Sequence, residues 1–236
     1  MNASRLKQAM HYQLSYFSWS FLYVYGIAVA IVIAIGFMVT VNVNDVNISI
    51  TGIGGVGFVH FLVMGIAGIR SDLKFYIQHG ISRRTTFLSH LYASLICAIA
   101  LGLFCEVFNL ITYHLLGFVF HGSAFTIQGF MTNWMMYAFA FFAAWQVGAL
   151  LSLIYYRLSK MQQIVFSVAA IAIIVLAFAG GMRHLAGLGD DLGDLIRNII
   201  ENTIRLTEMA AWIGLLIGLL AAAGNYLLLQ RVEVKE

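Results

Sequence analysis

A chain of 236 residues with 61% apolar and only 10% charged side chains has too little polar surface to clothe a water-soluble domain, and its mean hydropathy of +0.90 marks a polytopic membrane protein. Its net charge of +3 is scattered over short loops and forms no basic patch, so no nucleic-acid partner is implied. It carries no Gly-x-x-x-x-Gly-Lys-Ser/Thr loop to cradle ATP, no His-Glu-x-x-His and no Gly-x-Ser-x-Gly, so any ATP-driven work would need a motor on another chain, and an intramembrane hydrolase is unsupported.

Residues 3–19 place Leu6, Met10, Leu14 and Phe17 at helical spacing, with Arg5, Lys7, Gln8, His11 and Gln13 between them. This predicts an interfacial helix on the cytoplasmic leaflet, although the frayed start of a first span has the same pattern. Residues 21–41 are long enough to cross a hydrocarbon core of roughly 30 Å. A polar segment precedes this run, and the run is longer than a signal h-region, so a retained first span is expected. A short external loop follows. The second span, 52–69, holds six glycines, which let helix backbones approach closely in lipid and predict packing against another helix.

Next comes a polar island, Arg70 to His90, whose four Lys/Arg place it in the cytoplasm. Leu73, Ile77 and Ile81 recur every four residues beside Phe75 and Tyr76, while Asp72, Lys74, Gln78 and His79 turn elsewhere. A short amphipathic helix is predicted. Gly80 breaks it, and Ser82 stands at the N-cap of a second helical run that begins at Arg83. A loop that merely fixes topology would have a similar composition.

The third span, 91–116, is interrupted by Glu106. A carboxylate in a membrane has to find a cavity, a partner or a proton. Asn109 and Tyr113, three and seven residues on, share its helical face, so the three residues outline a candidate transport path. Equally, the span ends near Phe108 and Glu106 sits near its outer end. Cys97 and Cys105, eight residues apart on one helix, are too far separated for a disulfide and read as core packing, and no Cys/His cluster has zinc-ligand spacing.

A fourth span, 133–155, has aromatic residues at both ends. A short fifth, 163–179, stops at Gly180-Gly181. Residues 185–207 place Leu192, Leu195, Ile196, Ile199 and Ile200 on one stripe and charges elsewhere, which predicts an amphipathic helix in the outer leaflet. Asp190, Asp191 and Asp194 read as helix-capping charge before they read as a cation site. The sixth span, 209–229, carries Gly214 and Gly218 in a small-xxx-small pattern. Under this topology ten Lys/Arg lie inside and three, Arg183, Arg197 and Arg205, lie outside, the positive-inside bias.

Phe75-Tyr-Ile-Gln-His-Gly-Ile-Ser-Arg-Arg-Thr86 resembles the coupling-helix region of small ABC-2-type transporter permeases, which often carry Gly-Ile/Val-Ser-Arg-Lys/Arg there. The helix at 3–19 is similar to their elbow helix, and that at 185–207 to their outer helices. Many relatives have proline near this corner, and this chain has none.

The resemblance implies an all-α polytopic membrane protein with six transmembrane helices, an elbow, a cytoplasmic coupling helix over 72–84 and an extracellular amphipathic helix. It implies a bacterial exporter subunit in the cytoplasmic membrane, with both termini cytoplasmic, pairing with a second copy or a paralogue. Two copies of a separate ATPase would bind ATP and Mg, leaving no cofactor in this chain. Their docking surface would be Asp72, Leu73, Lys74, Phe75, Tyr76, Ile77, Gln78, His79, Gly80, Ile81, Ser82, Arg83 and Arg84. An apolar, aromatic membrane region suits an amphipathic or hydrophobic cargo such as a peptide, drug or lipid-like molecule. The alternatives are a non-transporting immunity or sensor protein, and a proton-coupled secondary transporter resting on Glu106.

Overall fold

A computed structural model of the chain describes residues 3–42, 52–116, 127–168 and 192–230. Helices α1 (Ala3–Asn42), α2 (Gly52–Gln78), α3 (Arg83–Leu116), α4 (Ile127–Arg157), α5 (described over 160–168) and α6 (Leu192–Gln230) account for nearly all of them. No strand occurs among the described residues.

Among the described residues, four helices contain segments long and apolar enough to cross a membrane: Leu6–Ile31, Arg83–Ile111, Phe130–Arg157 and Ala211–Gln230. A shorter apolar segment, Gly54–Ile69, lies in α2. The protein is therefore a membrane-embedded helical bundle. Of the expected fifth span only 163–168 is described, and residues 185–191 of the expected outer helix also lie outside the described residues.

The helices are longer than the expected elements. Residues 3–19 and 21–41 form one helix of 40 residues, about 60 Å long, with no break between an elbow and a span. The second span runs on through Asp72 to Gln78, so the stretch expected as a separate coupling helix over 72–84 is the end of α2, a corner and the start of α3. Residues 192–207 likewise continue into the last span as α6. The physical reason is common to all three. A change from polar to apolar side chains marks where a helix meets a different solvent, but nothing in Ser18-Trp-Ser20 or Arg70-Ser-Asp72 removes a backbone hydrogen bond, and the chain has no proline to do so.

Helix α4 is the hub, packed against α2, α3 and α6, while α1 packs on α3 and α2. Close approach is what small residues permit. A Cβ on Gly65 of α2 would collide with the Trp145 carbonyl of α4, and one on Gly148 of α4 would collide with the Leu62 carbonyl of α2. At Gly102 of α3 a Cβ would stand 3.0 Å from Ala138 N, and at Gly218 of α6 it would stand 2.6 Å from the Phe142 ring. Gly54, Gly57 and Gly65 of the second apolar segment and Gly218 of the last are thus set against α4, where van der Waals contact replaces the hydrophobic drive that lipid does not supply. Around these contacts Phe61, Phe141, Phe142, Trp145, Leu101 and Cys105 form the core. Trp19, Leu22, Tyr23 and Ile27 on α1, and Trp212, Leu216 and Leu220 on α6, face outward.

Candidate functional site

The corner between α2 and α3 is built by local chemistry. Gly80 has φ +69°, a conformation that costs a side-chain-bearing residue steric energy and costs glycine none. Its N–H bonds to the Ile77 carbonyl at 3.0 Å, and the N–H of Ile81 reaches back to the Tyr76 carbonyl at 2.8 Å, the paired bonds of a Schellman ending. Ser82 then caps α3, with its Oγ accepting from the N–H of Thr85 at 3.3 Å.

Three further contacts tie this corner to the bundle. The Gln13 amide on α1 donates to Asp72 Oδ2 at 2.8 Å. The Tyr76 hydroxyl, buried, donates to the carbonyl of Ala9 at 3.0 Å. The guanidinium of Arg83 donates to the Gln230 carbonyl at 2.8 Å, placing a cation at the last described turn of α6, where the helix dipole favours it. Burial raises the Asp72 carboxyl to about 6, against the opposing hydrogen bond from Gln13, and raises the Tyr76 phenol as well.

The predicted stripe at the corner has an internal use. Leu73 is buried and Ile77 packs on the same cluster, with Ala149 and Leu153 of α4 and Leu229 of α6. What the corner offers to water is Phe75, Gln78, His79, Gly80, Ser82 and Arg84, with Ile81 half-buried. Tyr12 of α1 stacks on Phe75 at 5.2 Å, and the tilted ring of His79 stands 4.2 Å from the same ring. The side chain of Lys74 lies outside the described residues.

From the corner, α3 presents one buried face of small and polar residues: Thr86, Ser89, His90, Ser94, Cys97, Gly102, Cys105 and Glu106. Along that face a polar spine crosses the bundle. Trp145 donates its indole N–H to His90 Nε2 at 3.0 Å, which leaves the imidazole proton on Nδ1. Gln146 donates to Ser94 Oγ at 2.8 Å, and Asn225 of α6 donates to both the carbonyl and Oε1 of Gln146, at 2.9 and 3.0 Å. Periodicity in the sequence singles out none of Ser94, Trp145, Gln146 and Asn225. Gln146 in Phe-Ala-Ala-Trp-Gln and Asn225 in Ala-Gly-Asn-Tyr are polar interruptions of apolar runs, the signal that identifies them.

At the other end of α3, about 34 Å along the helix from Arg83, Glu106 is 8% exposed. Its Oε2 accepts from Asn109 at 3.4 Å and its Oε1 from Asn133 of α4 at 3.3 Å. The hydroxyl of Tyr137 hydrogen-bonds with Asn109. Of the expected trio, Glu106 and Asn109 therefore meet, the side chain of Tyr113 lies outside the described residues, and Asn133 and Tyr137 join instead. Among the described residues no group of three His, Cys, Asp or Glu is arranged to hold a metal ion.

Comparisons of the chain with protein-family models, with curated proteins and with solved structures found no match.

Proposed function

We propose that this chain is the membrane-spanning subunit of an ATP-driven exporter of the ABC-2 type, working in the bacterial cytoplasmic membrane with both termini in the cytoplasm. Its ATP and Mg are held by two copies of a separate ATPase, and it pairs with a second copy of itself or a close paralogue. The observation that carries this reading is the corner at Gly80. Two long helices meet there in a stiff, capped turn that is bonded to α1 through Asp72 and Tyr76 and to α6 through Arg83. A push on such a corner moves four helices together, as a coupling element requires. Its exposed surface is the Tyr12, Phe75 and His79 ring stack with Arg84, an aromatic and basic set of the kind enriched at protein interfaces. The cargo is amphipathic or hydrophobic, in keeping with the predominantly apolar composition of the bundle.

The reading is tested by purifying the full chain from its native membrane and asking for a P-loop ATPase at equal stoichiometry. Phe75→Asp, at an exposed position, is expected to release that ATPase while the chain stays folded. Purification without an ATPase would favour the immunity or sensor alternative.

A further inference from the structure

The apolar segment of α1 is the least enclosed of the four long ones: 11% of it is buried, against 28 to 56% of the others. Its turn from Ala9 to Gln13 nevertheless carries two polar bonds to the corner, one from Tyr76 Oη to the Ala9 carbonyl and one from Gln13 Nε2 to Asp72 Oδ2, and it stacks Tyr12 on Phe75. The Tyr76 phenol also hydrogen-bonds with Ser89 of α3. The bond between Gln13 and Asp72 is incomplete. Gln13 is 5% exposed and its Oε1 has no partner, so closing this contact forfeits a hydrogen bond that water would have supplied.

A proton completes it. Once protonated, a carboxyl group presents one donor beside one acceptor, the same edge that a primary amide presents; ionised, it presents two acceptors and has nothing to give to Oε1. Among the described residues the neighbours bring no competing charge. They are Tyr12 from α1, Tyr76 on α2 itself, Ser89 of α3 by way of Tyr76, and Tyr156 of α4 on the Leu73 cluster, while Lys7, His11, His79 and Arg84 are exposed. The side chains of Arg5, Arg70 and Lys74 lie outside the described residues. Burial, opposed by the Gln13 bond, raises the Asp72 carboxyl from 3.8 to about 6 in the closed contact. Closing therefore takes up a proton, and release of the side chain into water gives it back.

We propose that Asp72 and Gln13 form a proton-operated clasp between the first turns of α1 and the corner, closed by the carboxylic acid and opened by the carboxylate. Opening parts Tyr12 from Phe75, so the clasp decides whether the aromatic surface of the corner is assembled. This makes pH a regulator of the docking surface proposed above and rests on that reading for its role in transport, whereas the movement belongs to the chain alone. With the closed carboxyl at about 6 and the open one near 3.8, the ratio of closed to open rises about tenfold from pH 7.5 to pH 5.

The test places spin labels at Gln8→Cys on α1 and Gln78→Cys on α2, both exposed positions, in the full chain with Cys97 and Cys105 replaced by alanine. Distances between the labels are measured in lipid nanodiscs by double electron-electron resonance at pH 7.5, 6 and 5. Expected are two populations, the shorter gaining about tenfold over the longer as pH falls to 5. Asp72→Asn, neutral and carrying its own N–H, is expected to hold the shorter distance at every pH. Gln13→Glu sets a second carboxyl beside the first, where the two share a proton, and is expected to move the midpoint up by about one pH unit or more. A wild-type distribution that does not change with pH overturns the clasp, as does an undiminished shift in Asp72→Asn or an unmoved midpoint in Gln13→Glu. With no ATPase in the nanodisc, each of these failures leaves the ATPase partnership standing, and loss of that partnership leaves the measured movement standing.

Discussion

Gln13 on α1 donates to Asp72 on α2 through its amide nitrogen at 2.8 Å, while its own Oε1 is buried without a partner. An ionised Asp72 has only acceptors and leaves that oxygen unsatisfied. A protonated Asp72 has an O–H to offer it, which completes a reciprocal acid and amide pair.

The two forms make stability depend on pH. Tyr12 and Gln13 from α1, Tyr76 on its own helix and Ser89 from α3 are the polar groups around this contact, and Lys7, His11 and Arg84 point to water. Burial lifts the Asp72 carboxyl from 3.8 to about 6, so the folded state holds its proton more tightly than the unfolded state. The contribution is complete below the unfolded value and is lost as pH rises through about 6, with an amplitude on the order of 2 kcal/mol after allowance for solvent screening. Thermal inactivation in detergent should show stability falling between about pH 4 and 6 and level above. In Asp72→Asn, whose amide supplies the missing N–H at every pH, that slope should flatten. An unchanged slope would remove Asp72 as its source.

Close packing of α2 on α4 gives a second test. Gly65→Val and Gly148→Val each push a side chain into the facing backbone and should cost about 3 kcal/mol or more, because backbone yields less readily than a side chain. Gly55→Ala in the same helix meets nothing within 4 Å and should be tolerated. Yield of monodisperse protein and its melting temperature separate the cases.

The polar spine should behave as one unit. Asn225→Ala strips both donors from Gln146 and should cost about 1 kcal/mol, the range measured for interhelical hydrogen bonds in membranes. With Gln146→Leu already in place, Asn225→Ala should cost measurably less. A double-mutant cycle with zero coupling would contradict the contact.

What the sequence made legible was local. Gly80 and Ser82 could be read because left-handed backbone and an N-cap are properties of single residues and their neighbours. The period of Leu73 and Ile77 revealed an apolar face but not its cover, since Ala149, Leu153 and Leu229 come from distant helices. Gln146 and Asn225 are each visible as a polar residue in an apolar run, yet their pairing joins positions 79 apart, which no period records. Continuous helices at 3–42, 52–78 and 192–230 were divided at changes of polarity, which report solvent and not the backbone.

Orientation is open to chemical labelling. In a background lacking Cys97 and Cys105, a membrane-impermeant maleimide added to intact cells should modify a cysteine at 198 and leave one at 79 untouched until the membrane is opened. Labelling at 79 from outside would reverse the topology and take the corner away from any cytoplasmic motor.

The lever itself is tested at Gly80. Valine there is strained at φ +69° but meets no neighbour within 4 Å, so the helices on either side should still form and the angle between them should change. Co-purification of the ATPase, its rate of ATP hydrolysis and export of cargo from proteoliposomes are measured together on Gly80→Val and on wild type. The account requires the ATPase to stay bound and hydrolysing while export falls at least tenfold. Export at the wild-type rate from Gly80→Val would contradict it, because the corner would then transmit nothing.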